Sequence, residues 1–214
     1  MRPESKNMPK ITELKSQIVE SISTEIIKFG LNPVTNGVFW FRSGNVVRIF
    51  QISFLDSHHA SYFGTTKASF SLEFGGLYGS ITELKKMEDF PKVHYCQIRG
   101  MLLKDYIENA PNKNLPSYEH SRNDIWWVDR SGENLNRVLE STSRVIRKEL
   151  KKWLDRLIDY RYLCWYLILR KEKLSGFFGF GTRGSKARKE LLKLFSKEIG
   201  THGFLTWLIN YYTK

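Results

Sequence analysis

The stretch Val38-Phe39-Trp40-Phe41-Arg42-Ser43-Gly44-Asn45-Val46-Val47-Arg48-Ile49-Phe50-Gln51-Ile52-Ser53-Phe54 decides the fold. Two runs of β-branched and aromatic residues flank the polar segment Arg42-Ser43-Gly44-Asn45, the pattern of two strands joined by a tight hairpin. The second run is apolar at nearly every residue, so both of its faces are expected to be covered.

Upstream of the hairpin, Asn32-Pro33 and Asn36-Gly37 read as turns. Before them, Ile11, Leu14, Ile18, Ile22, Ile26 and Phe29 recur at helical spacing until Gly30 ends the run. Downstream, Ala68, Phe70, Leu72 and Phe74 alternate with Ser69, Ser71 and Glu73, predicting a third strand that Gly75-Gly76 would end. A fourth strand is expected at Val93 to Ile98. Residues 105–124, with Pro111 and Pro116, read as a loop leading to Trp126-Trp127. Ser131-Gly132-Glu133 then opens a long helix, with Ser131 as its N-cap. Leu135, Leu139, Ile146, Leu150, Trp153 and Leu157 form the apolar face of this helix. Arg137, Arg144, Lys148 and Lys151 fall nearly opposite. A glycine-rich loop, Gly176 to Gly184, separates it from a basic helix at Ser185 to Ile199, and Gly200 and Gly203 bracket a short aromatic terminal helix.

This order predicts an α+β fold. It has an N-terminal helix, an antiparallel meander of about four strands, a long helix packed on the sheet, and C-terminal basic helices. Residues 1–174 are expected to form the core domain and 175–214 a helical extension packed on or next to it.

Composition limits the function. The chain has 214 residues, with 34 Lys and Arg against 22 Asp and Glu, a formal net charge of +12. The excess is uneven: residues 1–92 carry 11 basic and 9 acidic side chains, residues 93–130 carry 5 of each, and residues 131–214 carry 18 and 8. Such asymmetry points toward an acidic partner. With 14 Phe, 10 Tyr and 6 Trp, the chain has ample material for a core. Two cysteines, Cys96 and Cys164, exclude a disulfide-dense scaffold. The start MRPESKNMPK has no apolar segment behind its charges, and no apolar run reaches the roughly 20 residues that span a bilayer. A cytoplasmic protein without membrane contact is expected.

Phe29-Gly30 followed by Asn36-Gly37-Val38-Phe39-Trp40-Phe41-Arg42 resembles the opening of a bacterial family catalogued as domain of unknown function 4304. Val46 to Ser57 is similar to that family's second strand. Tyr95-Cys96-Gln97-Ile98-Arg99-Gly100 resembles a later block, with Tyr95 and Gln97 standing where the family commonly has Asp and His. Trp126-Trp127-Val128 resembles the Trp pair before its long helix. The resemblance extends over residues 12–170 and implies an α+β fold, but no activity.

Several residues carry chemistry that must be weighed. His58-His59 follows a strand, where neighbours point to opposite faces, so with Asp56 the pair would share a metal only at a turn. His94 and Cys96 share a strand face but supply only two ligands. No metal and no cofactor are expected. Neither thiol has a local activating group, and the apolar run around Cys164 raises its pKa. Gly179-Phe180-Gly181-Thr182-Arg183-Gly184 has the G-x-G-x-x-G form without a βαβ unit to serve it, and reads as an interhelical loop. Glu149-Leu150-Lys151 lacks the clustered carboxylates of a metal nuclease. Phe39, Phe41, Phe70 and Phe74 read as core rather than as a base-stacking platform.

The resulting expectation is a non-enzymatic binding module whose basic half engages a nucleic acid or an acidic protein. Its candidate residues are Arg137, Arg144, Lys148, Lys151, Lys152 and Arg156 on the long helix. Arg183, Lys186, Arg188, Lys189, Lys193 and Lys197 join them from the C-terminal region. The alternative is an enzyme or small-ligand protein using a cleft near His94, Cys96 and Arg99. A third reading is an immunity or defence-associated protein.

Overall fold

A computed structural model of the chain describes residues 9–35, 37–79, 92–169, 177–179 and 186–200, with isolated positions from 203 to 209. The quoted stretch forms the expected hairpin. Strand β2 (Val38–Ser43) pairs antiparallel with β3 (Val46–Phe54), closing at Ser43 opposite Val46. Gly44, with φ +55°, supplies the left-handed residue that a two-residue hairpin loop needs.

The fold is α+β, as expected, and its sheet is larger than the expected meander. Among the described residues it has six strands, in the order β1 (Asn32–Thr35), β2, β3, β4 (Phe70–Tyr78), β5 (Ile98–Leu102) and β8 (Phe177–Gly179), each neighbouring pair antiparallel. Strand β1 (Asn32–Thr35) lies where turns were expected; Pro33 is tolerated because β1 is at the sheet edge. Strand β4 (Phe70–Tyr78) runs through Gly75-Gly76 instead of ending there. A Cβ on Gly75 would lie 2.6 Å from Cys96 Sγ, and one on Gly76 would lie 2.5 Å from the Tyr78 hydroxyl. These glycines permit close approach within a strand rather than a turn.

The expected strand at 93–98 is corrected as well. Val93–Tyr95 is a single 3₁₀ turn, and strand β5 (Ile98–Leu102) starts only afterwards. Val93 and Cys96 are both buried, a three-residue repeat that suits a 3₁₀ turn and not a strand. His94 and Cys96 therefore do not share a strand face. Strands β6 (Glu108–Asn109) and β7 (Ser121–Arg122) form a small separate ladder inside the predicted loop. Strand β8 (Phe177–Gly179) joins β5 from within the glycine-rich segment; residues 180–185, including the rest of the G-x-G-x-x-G run, lie outside the described residues.

One sheet face carries the helices. Leu14, Ile18, Ile22 and Ile26 of the N-terminal helix (Ile11–Ile27) pack in one cluster with Phe50, Phe70, Leu72 and Phe74. The same cluster takes in Leu150, Trp153 and Leu157 from the long helix and Leu192 and Phe195 from the C-terminal helix (Lys186–Ile199). The opposite face of β3 is covered too: Val47 and Ile49 pack with Leu77, Val93 and Cys96. Its near-continuous apolar run is thus explained.

The long helix starts at Leu135, not at Ser131. Gly132 has φ +72°, and a Cβ there would approach Leu14 Cδ2 to 2.9 Å, so the chain turns before the helix begins. The Asn134 side chain ties this turn by accepting from the Asp129 amide (3.0 Å) and donating to the Trp127 carbonyl (2.9 Å). From Leu135 the helix runs to Arg156 without a break, but Ile146–Leu150 adopts π-helical geometry.

Candidate functional site, a basic groove along the long helix

The π turn matters for the placement of charge. In a straight α-helix, twelve residues make three turns plus about 120°, so Arg144 and Arg156 would face different directions. The wider i→i+5 turn between them takes back part of that drift. As a result Arg144, Lys148, Lys152 and Arg156 all line one concavity of about 450 Å³. The opposite wall comes from the chain after β5, chiefly Lys104, Asp105 and Asn123. Four cations of the helix line it together with two carboxylates, Asp105 and Glu149, and with the buried Lys104.

Arg144, Lys148 and Lys152 are exposed. Arg144 reaches Asp105 at 3.4 Å and Lys152 reaches Glu149 at 3.7 Å, solvated pairs that exchange partners at little cost. Lys148, within the π turn, has no carboxylate partner among the described residues. Arg156 is held differently. Its guanidinium sits 4.5 Å over the Trp153 ring and 5.1 Å over Tyr162, while Trp153 stacks on Phe74 of the sheet at 5.2 Å. This arrangement positions the charge at the groove while the aromatic stack belongs to the core.

Lys104 was absent from the expected set. Its residue surface is 3% exposed, and its Nζ donates to Glu108 Oε2 at 2.7 Å beside the Tyr106 ring. Burial pushes the Lys104 pKa below the ordinary lysine range, and the Glu108 contact opposes that shift. No local sequence signal marks it, because its burial depends on the Asn123 carbonyl accepting from its amide at 2.6 Å across a long loop. A second, smaller concavity of about 270 Å³ shares Arg144 and extends along the helix to Arg137, which lies 3.8 Å from Glu108.

The remaining expected residues divide among other places. Lys151 is exposed but lines neither concavity, and it pairs with Asp155 at 2.7 Å. Lys186 and Arg188 belong to the C-terminal helix, and their side chains lie outside the described residues; Lys189 is half-buried, Lys193 and Lys197 are exposed, and these three do not line the groove. Arg183 falls outside the described residues.

His94, Cys96 and Arg99 line neither of these concavities. His94 is exposed, its ring 3.9 Å from that of Tyr95. Cys96 is fully buried against Gly75, and Arg99 is half-buried on β5. Both cysteines are free and buried. Burial drives both thiols upward, Cys164 to about 12.

Sheet, helical layer and groove together define an α+β protein with a positively charged cleft. No family model, curated protein or solved structure matches the chain. Among the described residues, no helix is long and apolar enough to cross a membrane.

Proposed function

We propose that the protein is a non-enzymatic binding module whose groove along the long helix holds the phosphate backbone of a nucleic acid. The observation carrying this reading is the convergence of Arg144, Lys148, Lys152 and Arg156 on one concavity with Lys104 in its opposite wall. From Arg137 to Arg156 the helix extends roughly 28 Å, the rise of about eight phosphates along one duplex strand. Solvated lysine and arginine heads suit phosphate contacts, which are sequence-tolerant and release counterions.

A salt titration of binding to duplex and single-stranded DNA and RNA tests this directly. Four phosphate contacts give a log–log salt slope of about −3.6 on duplex DNA, so a fourfold rise in salt weakens binding about 150-fold. Changing Arg144, Lys148 and Lys152 together to Gln should flatten the slope by about 2.7. The folded state should tolerate this, since exposed substitutions alter stability by about 0.5 kcal/mol or less each. Equal slopes for wild type and triple variant would remove the groove from the interface. Absence of wild-type binding at low salt would refute the nucleic-acid reading.

A further inference from the structure

The sequence places Asp56, His58 and His59 at the end of β3, where strand geometry would separate the two imidazoles. The structure instead turns the chain at Asp56 into a short helix, Ser57–Phe63. Asp56 Oδ1 accepts from the His59 amide at 2.8 Å, which fixes the carboxylate, while Oδ2 lies 2.9 Å from His59 Nδ1. One ligand atom from each of Asp56, His58 and His59 lies within 4.8 Å of the others, and all three residues are exposed.

We propose that Asp56, His58 and His59 bind one divalent transition-metal ion, with zinc(II) the representative case. Two ligands at 2.0–2.1 Å from such an ion, separated by 90–109°, are roughly 2.9–3.4 Å apart. The Asp56 and His59 atoms already stand at that spacing. The His58 ring is nearly perpendicular to that of His59, with centroids 5.5 Å apart, and approaches as the third ligand by side-chain rotation. Two imidazoles and one carboxylate suit zinc, nickel or copper, whereas magnesium and calcium prefer all-oxygen sets.

Three protein ligands leave at least one coordination position open, the arrangement of an accessible metal centre rather than a closed structural site. Asp56, His58 and His59 line a separate concavity of about 660 Å³, whose walls also carry Glu73, Glu119 and Asp124. These carboxylates add to the negative potential that attracts a cation. Arg122 is the counter-charge there, held by Asp124 through two bonds of 2.7 and 2.6 Å. The buried thiols of Cys96 and Cys164 do not compete for the ion.

The test is calorimetric titration of zinc(II) into chelator-stripped, tag-free protein. One saturable equivalent is expected, and His58→Ala and His59→Ala should each weaken it by about tenfold or more. Both side chains are exposed, so neither change threatens the fold. Asp56→Asn keeps a good helix cap while removing the charge, and should also weaken the site. His94→Ala should leave binding unchanged. Failure of the wild type to take up zinc saturably would overturn the proposal, as would wild-type affinity in the His58→Ala or His59→Ala variant. Loss of nucleic-acid binding has no bearing on this readout, because the groove and this site share no ligand.

Discussion

The Tyr78 hydroxyl donates a 2.7 Å hydrogen bond to the backbone carbonyl of Leu157, joining the end of β4 to the end of the long helix. The Tyr78 ring also meets Phe195 of the C-terminal helix edge-on at 4.9 Å. One side chain therefore links the sheet to two helices. Tyr78→Phe keeps the ring contact and removes only the hydroxyl. It should cost about 1–2 kcal/mol, as expected when a buried hydrogen-bond donor is lost. Urea unfolding at neutral pH would report a lower midpoint with unchanged slope; an unchanged midpoint would mean the bond contributes nothing.

Gly75 and Gly76 should be among the least tolerant positions of the sheet. Gly75→Ala brings a methyl against Cys96 and Gly76→Ala brings one against Tyr78, so each should cost about 3 kcal/mol as overpacking within a strand. Cys96→Ala should not rescue Gly75→Ala. Besides the sulfur, the Cys96 Cβ lies 2.7 Å and the Ile98 carbonyl oxygen 3.0 Å from the new atom. Full recovery in the double variant would show that the thiol alone is the obstacle.

Alkaline pH should destabilise the protein. The hydroxyl of Tyr78 and the thiols of Cys96 and Cys164 have pKa values raised by burial. Their unfolded counterparts ionise near 8.5 for thiols and near 10 for tyrosine. Above those values the unfolded state loses protons that the folded state retains, so stability is complete below about pH 8.5 and declines as pH rises toward the folded pKa values. Lys104, with a lowered pKa, works in the opposite direction near the lysine range. Denaturant midpoints from pH 7 to 11 should therefore fall, and fall further in Lys104→Met. A flat profile would contradict the burial of these groups. Native thiols should also resist alkylation at pH 8 and react once the protein is unfolded.

The Lys104–Glu108 pair should respond asymmetrically to truncation. Glu108 is partly solvated, with 26% side-chain exposure, whereas the Lys104 side chain is wholly buried. Glu108→Ala strands a buried ammonium and should cost about 2 kcal/mol or more, while Lys104→Met replaces it with an apolar chain at a cost within about 1 kcal/mol. Thermal unfolding of the two variants distinguishes them. Equal losses would mean that the ion pair itself, rather than desolvation of the lysine, dominates.

Local spacing was sufficient for much of the architecture. The alternation of Ala68 to Phe74, the hairpin around Gly44-Asn45 and the stripe of Leu14, Ile18, Ile22 and Ile26 each follow from a two- or 3.6-residue period facing one core. The exposed charge along residues 137–152 follows from the same periodicity. Glycine misled the reading because a strand glycine and a turn glycine look alike in sequence. Only the approach of Cys96 and Tyr78 from elsewhere in the fold tells them apart.

The sites needed tertiary structure for the same reason. No local pattern announces the π turn at Ile146–Leu150 that aligns Arg144 with Arg156, or the loop that buries Lys104 beside Glu108. The adjacent histidines were visible as a pair, but not the turn at Asp56 that brings their ligand atoms together. Sequence by itself determined which segments are amphipathic and where charge accumulates, because those depend on neighbours within one helical or strand repeat. Which charges converge, and which glycines must stay bare, was decided by contacts between segments tens of residues apart, whose geometry exists only after the chain has packed.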